Sequence, residues 1–299
     1  MEKKNSKEQK LTDLAQELRK HIITMNCHAG SGHPGGSLSA VEIITFLFHK
    51  EMNFSFDNYR SPERDRFVLS KGHACLVLYA ALAQKGFFDT KEFEKLRHVN
   101  GMLQGHPDRL KTPGVEFNSG SLGQGFSFSL GCALGGKRTF ISRYTNTKPD
   151  YTNQNVLNRE FRVYTIIGDG ELNEGQVWEG FMFGAFHKLD NLVAIVDYNK
   201  YQSDDLNSNI TALEPLMDKF RSFGWYALEI DGHNFEQIEN SFLEARALKG
   251  KPTVILAHTV KGKGISFMEN NPKWHGSLCP SGDEKIQALK DCGYGECVE

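Results

Sequence analysis

Leu11, Leu14, Leu18, Ile22 and Met25 recur at spacings of three and four, and that apolar stripe predicts an amphipathic helix stopping at Ala29-Gly30. A second helix is expected near Ser39, where Ser39 and Glu42 form a capping-box pattern ahead of the apolar run VEIITFLF. RFVLS (66–70) predicts a buried strand, and GHACLVLYAALAQKG a helix ending at Gly86. From residue 161 the alternation is plainer. FRVYTIIG, NLVAIVDYN, WYALEI and PTVILAHT read as strands. GQVWEGFMFGAFHK, the stretch from Pro215 to Phe223, and NFEQIENSFLEARALKG read as the helices between them. Apolar strands alternating with helices imply an α/β fold with a parallel sheet covered by helices on both faces. Ligands of such sheets gather at the carboxyl ends of the strands. The residues after Ser70, Ile167, Asp197, Ile230 and Ala257 are therefore expected around one crevice. Two segments fall outside the pattern: a polar, aperiodic insertion at about 140–160 and a tail at 280–299, which leaves one domain at 7–279.

Composition narrows the class of partner. The 299 residues carry a formal net charge of -2, which argues against nucleic acid or an anionic membrane as the main partner. The N-terminal MEKKNSKEQK has no apolar stretch behind it and does not resemble a signal peptide. Runs such as LVLYAALA are too short to span a bilayer. The cysteines at 27, 75, 132, 279, 292 and 297 form no CxxC pair and suggest reduced thiols in a cytoplasmic protein. A zinc site from Cys279, Cys292 and Cys297 would match no common ligand spacing.

The candidate chemistry starts at Gly168-Asp169-Gly170, directly after a strand. Asn199 follows the next strand, and the 28 residues between Gly170 and Asn199 leave room for one helix and one return strand. Asp169, Asn199 and a backbone carbonyl near Tyr201 would then be hard oxygen ligands suited to Mg²⁺ or Ca²⁺, completed by phosphate oxygens and water. Gly170 would let backbone approach a phosphate, and the helix starting near Gly175 would offer its positive end. Taken alone, the triplet also reads as a tight turn with a capping aspartate. A second signal is the placement of histidines. Five lie beside glycine in expected loops: His33 (SGHPGG), His73 (SKGHA), His106 (QGHPD), His233 (DGHN) and His275 (KWHG). His21, His49, His98 and His187 are expected inside helices instead. Flexible, glycine-flanked loops suit imidazoles pointed into a cleft, although His233 is read as an ordinary surface or cap histidine.

GDG followed about thirty residues later by an asparagine resembles the thiamine-diphosphate fingerprint, here with Tyr198 where a first asparagine often stands. The ordered series SGHPGG, LSKGH, GHPD, GSLGQG, GDG, Asn199 and WHG runs through most of residues 10–278 and resembles transketolases. It is most similar to the separate N-terminal subunit of two-chain members, with Ser121 in GSLGQG where single-chain enzymes often have proline. The resemblance implies a diphosphate-binding domain of the thiamine-diphosphate fold. It implies that Asp169, Asn199 and the Tyr201 carbonyl bind the metal, and that Gly170, His73 and His275 touch the diphosphate. Gly120 and Leu122 would line the thiazolium side, and His33, His106 and His275 would face the sugar as catalytic residues. Glu174, also counted among the catalytic residues, would lie with Glu179 at the subunit interface and help couple two active sites.

The implied activity is transfer of a two-carbon ketol unit from a ketose phosphate to an aldose phosphate. The glutamate that activates the cofactor in this family, and the arginines that hold the sugar phosphate, belong to a following pyrimidine-binding domain that is expected on a separate C-terminal subunit. The implied assembly is a heterotetramer of two chains of each kind. Two other thiamine enzymes share features: the alpha subunit of a 2-oxoacid dehydrogenase, which lacks the SGHPGG and LSKGH pair, and deoxyxylulose-phosphate synthase, normally one long chain. A non-catalytic regulatory subunit that kept the fold is the reading from another class.

Overall fold

The computed structural model describes residues 2–144, 161–203 and 205–293. The chain starts with α1 (Glu2–Ala29), α2 (Pro34–Leu38), α3 (Val41–Phe46), β1 (Arg66–Leu69), α4 (Cys75–Gln84) and α5 (Gln124–Tyr144). Strand and helix then alternate through β2 (Val163–Gly168), α6 (Gly175–Phe186), β3 (Leu192–Tyr198), α7 (Asn207–Ile210), α8 (Leu216–Ser222), β4 (Tyr226–Asp231), α9 (Phe235–Ala247) and β5 (Thr253–His258). A last helix, α10, covers Asp283–Asp291.

The strands form one sheet in the order β1-β2-β3-β5-β4, and every neighbouring pair is parallel. Successive side chains of a strand point to opposite faces, and both faces here meet apolar helices. Tyr164, Ile166, Val193, Ile195 and Ile255 enter one core with Leu18 and Ile22 of α1, Phe46 of α3, Leu78 of α4 and Phe242 of α9. Ile167, Ala194, Val196, Val254 and Leu256 enter the other with Phe126 of α5, Phe181 of α6 and Phe220 of α8. Two-sided burial explains why the strands read as continuous apolar runs. The doubly covered parallel sheet expected from the pattern is what the chain forms. Among the described residues, no helix is long and apolar enough to cross a membrane.

Three expectations need correction. Ser39 and Glu42 do not cap a helix: α3 is preceded by Ala40 with no side-chain cap. The Ser39 hydroxyl donates instead to Asp197 Oδ2 at 2.6 Å, and Glu42 takes up Arg19. His98 lies in an exposed loop rather than in a helix, and His187 is the residue that follows the end of α6. The stretch from 280, expected as a tail, carries α10, whose Ala288 and following Cys292 are buried in the core beside α1. Of the expected insertion, 145–160 lies outside the described residues, while α5 continues to Tyr144.

The second core is built on aromatic contacts. Phe181 stands 4.7 Å from Trp225, 5.0 Å from Phe220 and 5.1 Å from Phe126, measured between ring centroids. The Trp225 indole also donates from Nε1 to the Phe181 carbonyl at 2.7 Å. Trp225→Ala should therefore cost about 3–5 kcal/mol of folding stability. Chemical denaturation of the whole chain measures this, and an unmoved midpoint would remove Trp225 from the core.

Candidate functional site

A cavity of about 270 Å³ opens where the carboxyl ends of the strands converge. The loop after β1 brings Lys71 and His73, the β2 turn brings Gly168, Asp169 and Gly170, and the loop after β3 brings Asn199, Tyr201 and Gln202. The loop after β5 supplies Lys261, and His33, Gly120, Leu122 and His275 close the walls from elsewhere in the chain. Backbone crowding enforces part of this. A Cβ on Gly72 would come within 2.5 Å of Ser119 Oγ and 2.9 Å of Gly120 N, so only glycine lets the His73 loop pack against the Gly120 loop. The fourth strand is the exception to the expected crevice. β4 lies outside β5, two strands away from β3, and its following residues do not reach the cavity.

On the strand-end side, Asp169 is 2% exposed. Its oxygens accept the Gly170 N–H at 2.8 Å and the Lys200 N–H at 2.6 Å, and Asn199 Oδ1 accepts the Tyr201 N–H at 3.1 Å. Burial, and then the charge of Asp197, push the Asp169 carboxyl up to about 7 against those two hydrogen bonds. A buried carboxyl of this kind ionises fully only beside a cation. The donor set of carboxylate, amide oxygen and backbone carbonyl is all hard oxygen, as Mg²⁺ or Ca²⁺ requires. Two buried polar atoms on the cavity wall, His33 Nδ1 and Gln202 Nε2, have no partner within the protein, so the lining retains capacity for a polar ligand. The residues thus fit a metal–diphosphate group.

Imidazoles crowd the opposite wall. The His33 ring centroid lies 5.2 Å from His73, 5.8 Å from His275 and 6.4 Å from His106. Burial lowers His33 to about 4 and His275 to about 3, with Arg97 and Lys261 respectively adding to the effect. It also holds His73 well below the ordinary range and lowers the rim residue His106. The four rings are therefore neutral near pH 7 and suited to pass protons or donate hydrogen bonds. The Lys261 ammonium donates to His275 Nδ1 at 2.8 Å, which leaves the ring proton on Nε2.

The imidazoles of His33, His73 and His275 share one cavity with Asp169, Asn199 and Tyr201, and His106 stands just outside its lining, 6.4 Å from His33. The family described as transketolase, thiamine diphosphate binding domain, matches residues 11–296. The chain belongs to the transketolase family. It is 43% identical over 261 residues to the 6-deoxy-6-sulfo-D-fructose transketolase subunit SqwG of Clostridium sp. (strain MSTE9), covering 87% of this chain and 88% of that one. It is 35% identical over 277 residues to an apulose-4-phosphate transketolase subunit of Phocaeicola vulgatus, covering 93% and 92%. Among solved structures, transketolase from Campylobacter jejuni superposes with a TM-score of 0.84 at 30% identity, over 96% of this chain and 43% of that chain. The chain thus spans nearly the whole of the subunit relatives and less than half of the longer transketolase.

Beneath the cavity of this transketolase domain lie groups that the motifs do not single out. Asp197 is fully buried and accepts from Lys71 Nζ, Thr259 Oγ1, Ser39 Oγ and, at 3.3 Å, Asn199 Nδ2. Burial would raise this carboxyl, but the Lys71 ammonium and the hydroxyl bonds more than offset it and hold it below the usual range. Glu171 is a second such hub. Its carboxylate accepts from Ser70 Oγ at 2.5 Å, Gly123 N at 2.6 Å and Gly168 N at 3.0 Å, which joins the ends of β1 and β2 to the Gly120 loop. Lys71 stands inside LSKGH and Glu171 directly after GDG, so adjacency to the motifs was the available signal. Glu174 and Glu179, by contrast, are exposed on and beside α6 and do not line the cavity, so Glu174 touches no reacting group of this chain. His233 stays outside the cavity but is not the ordinary surface or cap histidine expected, since its side chain is only 13% exposed and bonds Glu42 and the Val260 N–H, and Cys297 of the suggested zinc trio lies outside the described residues.

The neutral imidazoles carry a pH signature. An unfolded chain takes up histidine protons as pH falls through about 6.5, whereas His33 and His275 in the fold resist until about 4 and about 3. Stability should therefore fall as pH drops from about 7 to about 5, by on the order of 1 kcal/mol for each ring once solvent screening is allowed for. Urea titrations at the two pH values measure the loss. His33→Gln and His275→Gln should each shrink it, and an undiminished loss in both would mean the rings are already protonated.

Proposed function

We propose that this chain is the diphosphate- and metal-binding half of a split transketolase, moving a two-carbon ketol unit from a ketose to an aldose together with a separate chain that carries the pyrimidine-binding domain. The observation that carries this reading is the shared cavity of Asp169, Asn199 and Tyr201 with the neutral imidazoles of His33, His73 and His275, in a member of the transketolase family with relatives named as subunits. Asp169, Asn199 and the Tyr201 carbonyl would hold Mg²⁺, or Ca²⁺, and Gly170, His73 and His275 the diphosphate. Gly120 and Leu122 would stand beside the thiazolium ring. Thiamine diphosphate, when bound, supplies the electron sink that carbon–carbon cleavage beside a carbonyl requires. The protein's part is orientation and charge. His33, His106 and His275 would donate hydrogen bonds to the sugar's oxygens and hold or return the proton of the hydroxyl that becomes the aldehyde.

The two subunit relatives are named for ketoses carrying a sulfonate or a phosphate, which supports an anionic sugar, such as a sugar phosphate, as substrate here. We further infer a heterotetramer of two chains of each kind, with Glu174 and Glu179 and the exposed Met182, Phe183 and Phe186 of α6 at the interfaces. Obligate interfaces are apolar and bury more than about 2,000 Å². Free thiols at Cys27, Cys75, Cys132, Cys279 and Cys292 accord with a reducing, cytoplasmic setting.

Two experiments bear on this. In calorimetry on the assembled complex, Asp169→Ala should weaken Mg²⁺-dependent thiamine diphosphate binding at least about 100-fold, and Asn199→Ala nearly as much. Unchanged affinity in both would unseat the metal assignment. In a coupled assay with a ketose phosphate and an aldose phosphate, the chain alone should be inactive and a one-to-one mixture with the partner chain active. His33→Ala, His106→Ala and His275→Ala should each cost roughly 1.5–3 kcal/mol in kcat/KM while the fold persists. Full turnover by the chain alone would overturn the split arrangement.

A further inference from the structure

Lys261 stands on a loop with no regular structure, Thr259-Val260-Lys261-Gly262-Lys263-Gly264, which follows β5. Its Nζ donates to the Gln202 carbonyl at 2.8 Å as well as to His275, so the position of this loop sets one wall of the cavity. Three side chains that do not line that cavity hold the loop from behind. His233 Nε2 accepts the Val260 N–H at 2.9 Å. An accepting Nε2 must carry its lone pair, so the ring proton sits on Nδ1 and is donated to Glu42 Oε2 at 2.8 Å. The other Glu42 oxygen receives Arg19 Nη2 at 2.5 Å, and Arg19 Nε donates to the Lys263 carbonyl at 3.0 Å. The bonds close a ring that begins and ends on the loop.

The charges in that ring are balanced. Burial would raise the Glu42 carboxyl, but the His233 bond and the Arg19 guanidinium more than offset it and keep it below the usual range, ionised against one cation. Arg19 and Glu42 are 6% and 7% exposed, so each charge is satisfied mainly by the other and by the brace. The loop backbone is cut to receive the brace. A Cβ on Gly264, at φ +89°, would fall 2.5 Å from Arg19 Nε. Arg19, on α1, and Glu42, on α3, come from elements remote in sequence from the loop they hold.

We propose that Arg19, Glu42 and His233 are positioning residues for the cavity: they fix the 259–264 loop, and through it the placement of Lys261 and the orientation of His275. The ligand named in the binding arm below rests on the function proposed above; the brace itself does not. The test uses the full chain. His233→Asn keeps an amide donor toward Glu42 but removes the acceptor for Val260, whereas His233→Gln places an amide oxygen near the lost Nε2. Hydrogen exchange of the ligand-free protein, resolved by peptide, and calorimetry with magnesium pyrophosphate are the two readouts. His233→Asn and Glu42→Gln should speed exchange in 259–264 by about tenfold or more with β2 and β3 unchanged, and weaken pyrophosphate by about five- to tenfold. His233→Gln should recover most of both. Loop exchange at the wild-type rate, or exchange accelerated equally across the sheet, would overturn the proposal. Wild-type protein that fails to bind pyrophosphate would count against the proposed function, while the exchange result would still decide for or against the brace.

Discussion

A fully buried carboxylate at the carboxyl end of the central strand is the constraint around which the site is organised. Asp197 cannot stay ionised without partners, because an isolated charge in so dry a place is prohibitively costly. Four segments answer that demand: the α2–α3 junction through Ser39, the loop after β1 through Lys71, the loop after β5 through Thr259, and its own strand's continuation through Asn199. These same segments bear or adjoin His33, His73, Lys261 and Asn199, so satisfying one charge draws four parts of the cavity wall together.

The electrostatics of the cavity follow from that arrangement. With Lys71 committed to Asp197, the remaining fixed positive potential comes from Lys261, lowered by burial to about 8, and from Arg97 near the rim. Imidazoles held neutral add no charge of their own but offer proton donors and acceptors at short range. Such a site favours an anion with its own counter-cation over a neutral guest, which is the physical sense of the proposed metal–diphosphate ligand.

Much of the architecture was legible because β1, β2, β3 and β5 are buried on both faces and mostly hydrophobic, and because glycines flank His33, His73, His106 and His275 in loops. What escaped reading depended on distant partners. Ser39 and Glu42 have the local spacing of a cap, yet the Ser39 hydroxyl is claimed by a residue 158 positions away, and Glu42 by Arg19 and His233. Asp197 stands within an apolar strand whose pattern gives no sign of the Lys71 beside it in space. The expectation that the segment after Ile230 joins the crevice failed because strand order is not sequence order: β5 inserts between β3 and β4 and sets β4 one strand too far from the ends of β2 and β3. Chain periodicity encodes which face a residue takes, but not which strand it lies beside.

The Glu171 carboxylate has a bearing on assembly. All three of its bonds, to Ser70, Gly123 and Gly168, close inside this one polypeptide. The Gly120 loop is thereby tied by its own chain to the ends of β1 and β2. A loop held in this way has less ordering entropy left to lose if another protein docks against it. Recognition can then proceed as a near-rigid fit, with encounter rates limited by orientation instead of by coupled folding.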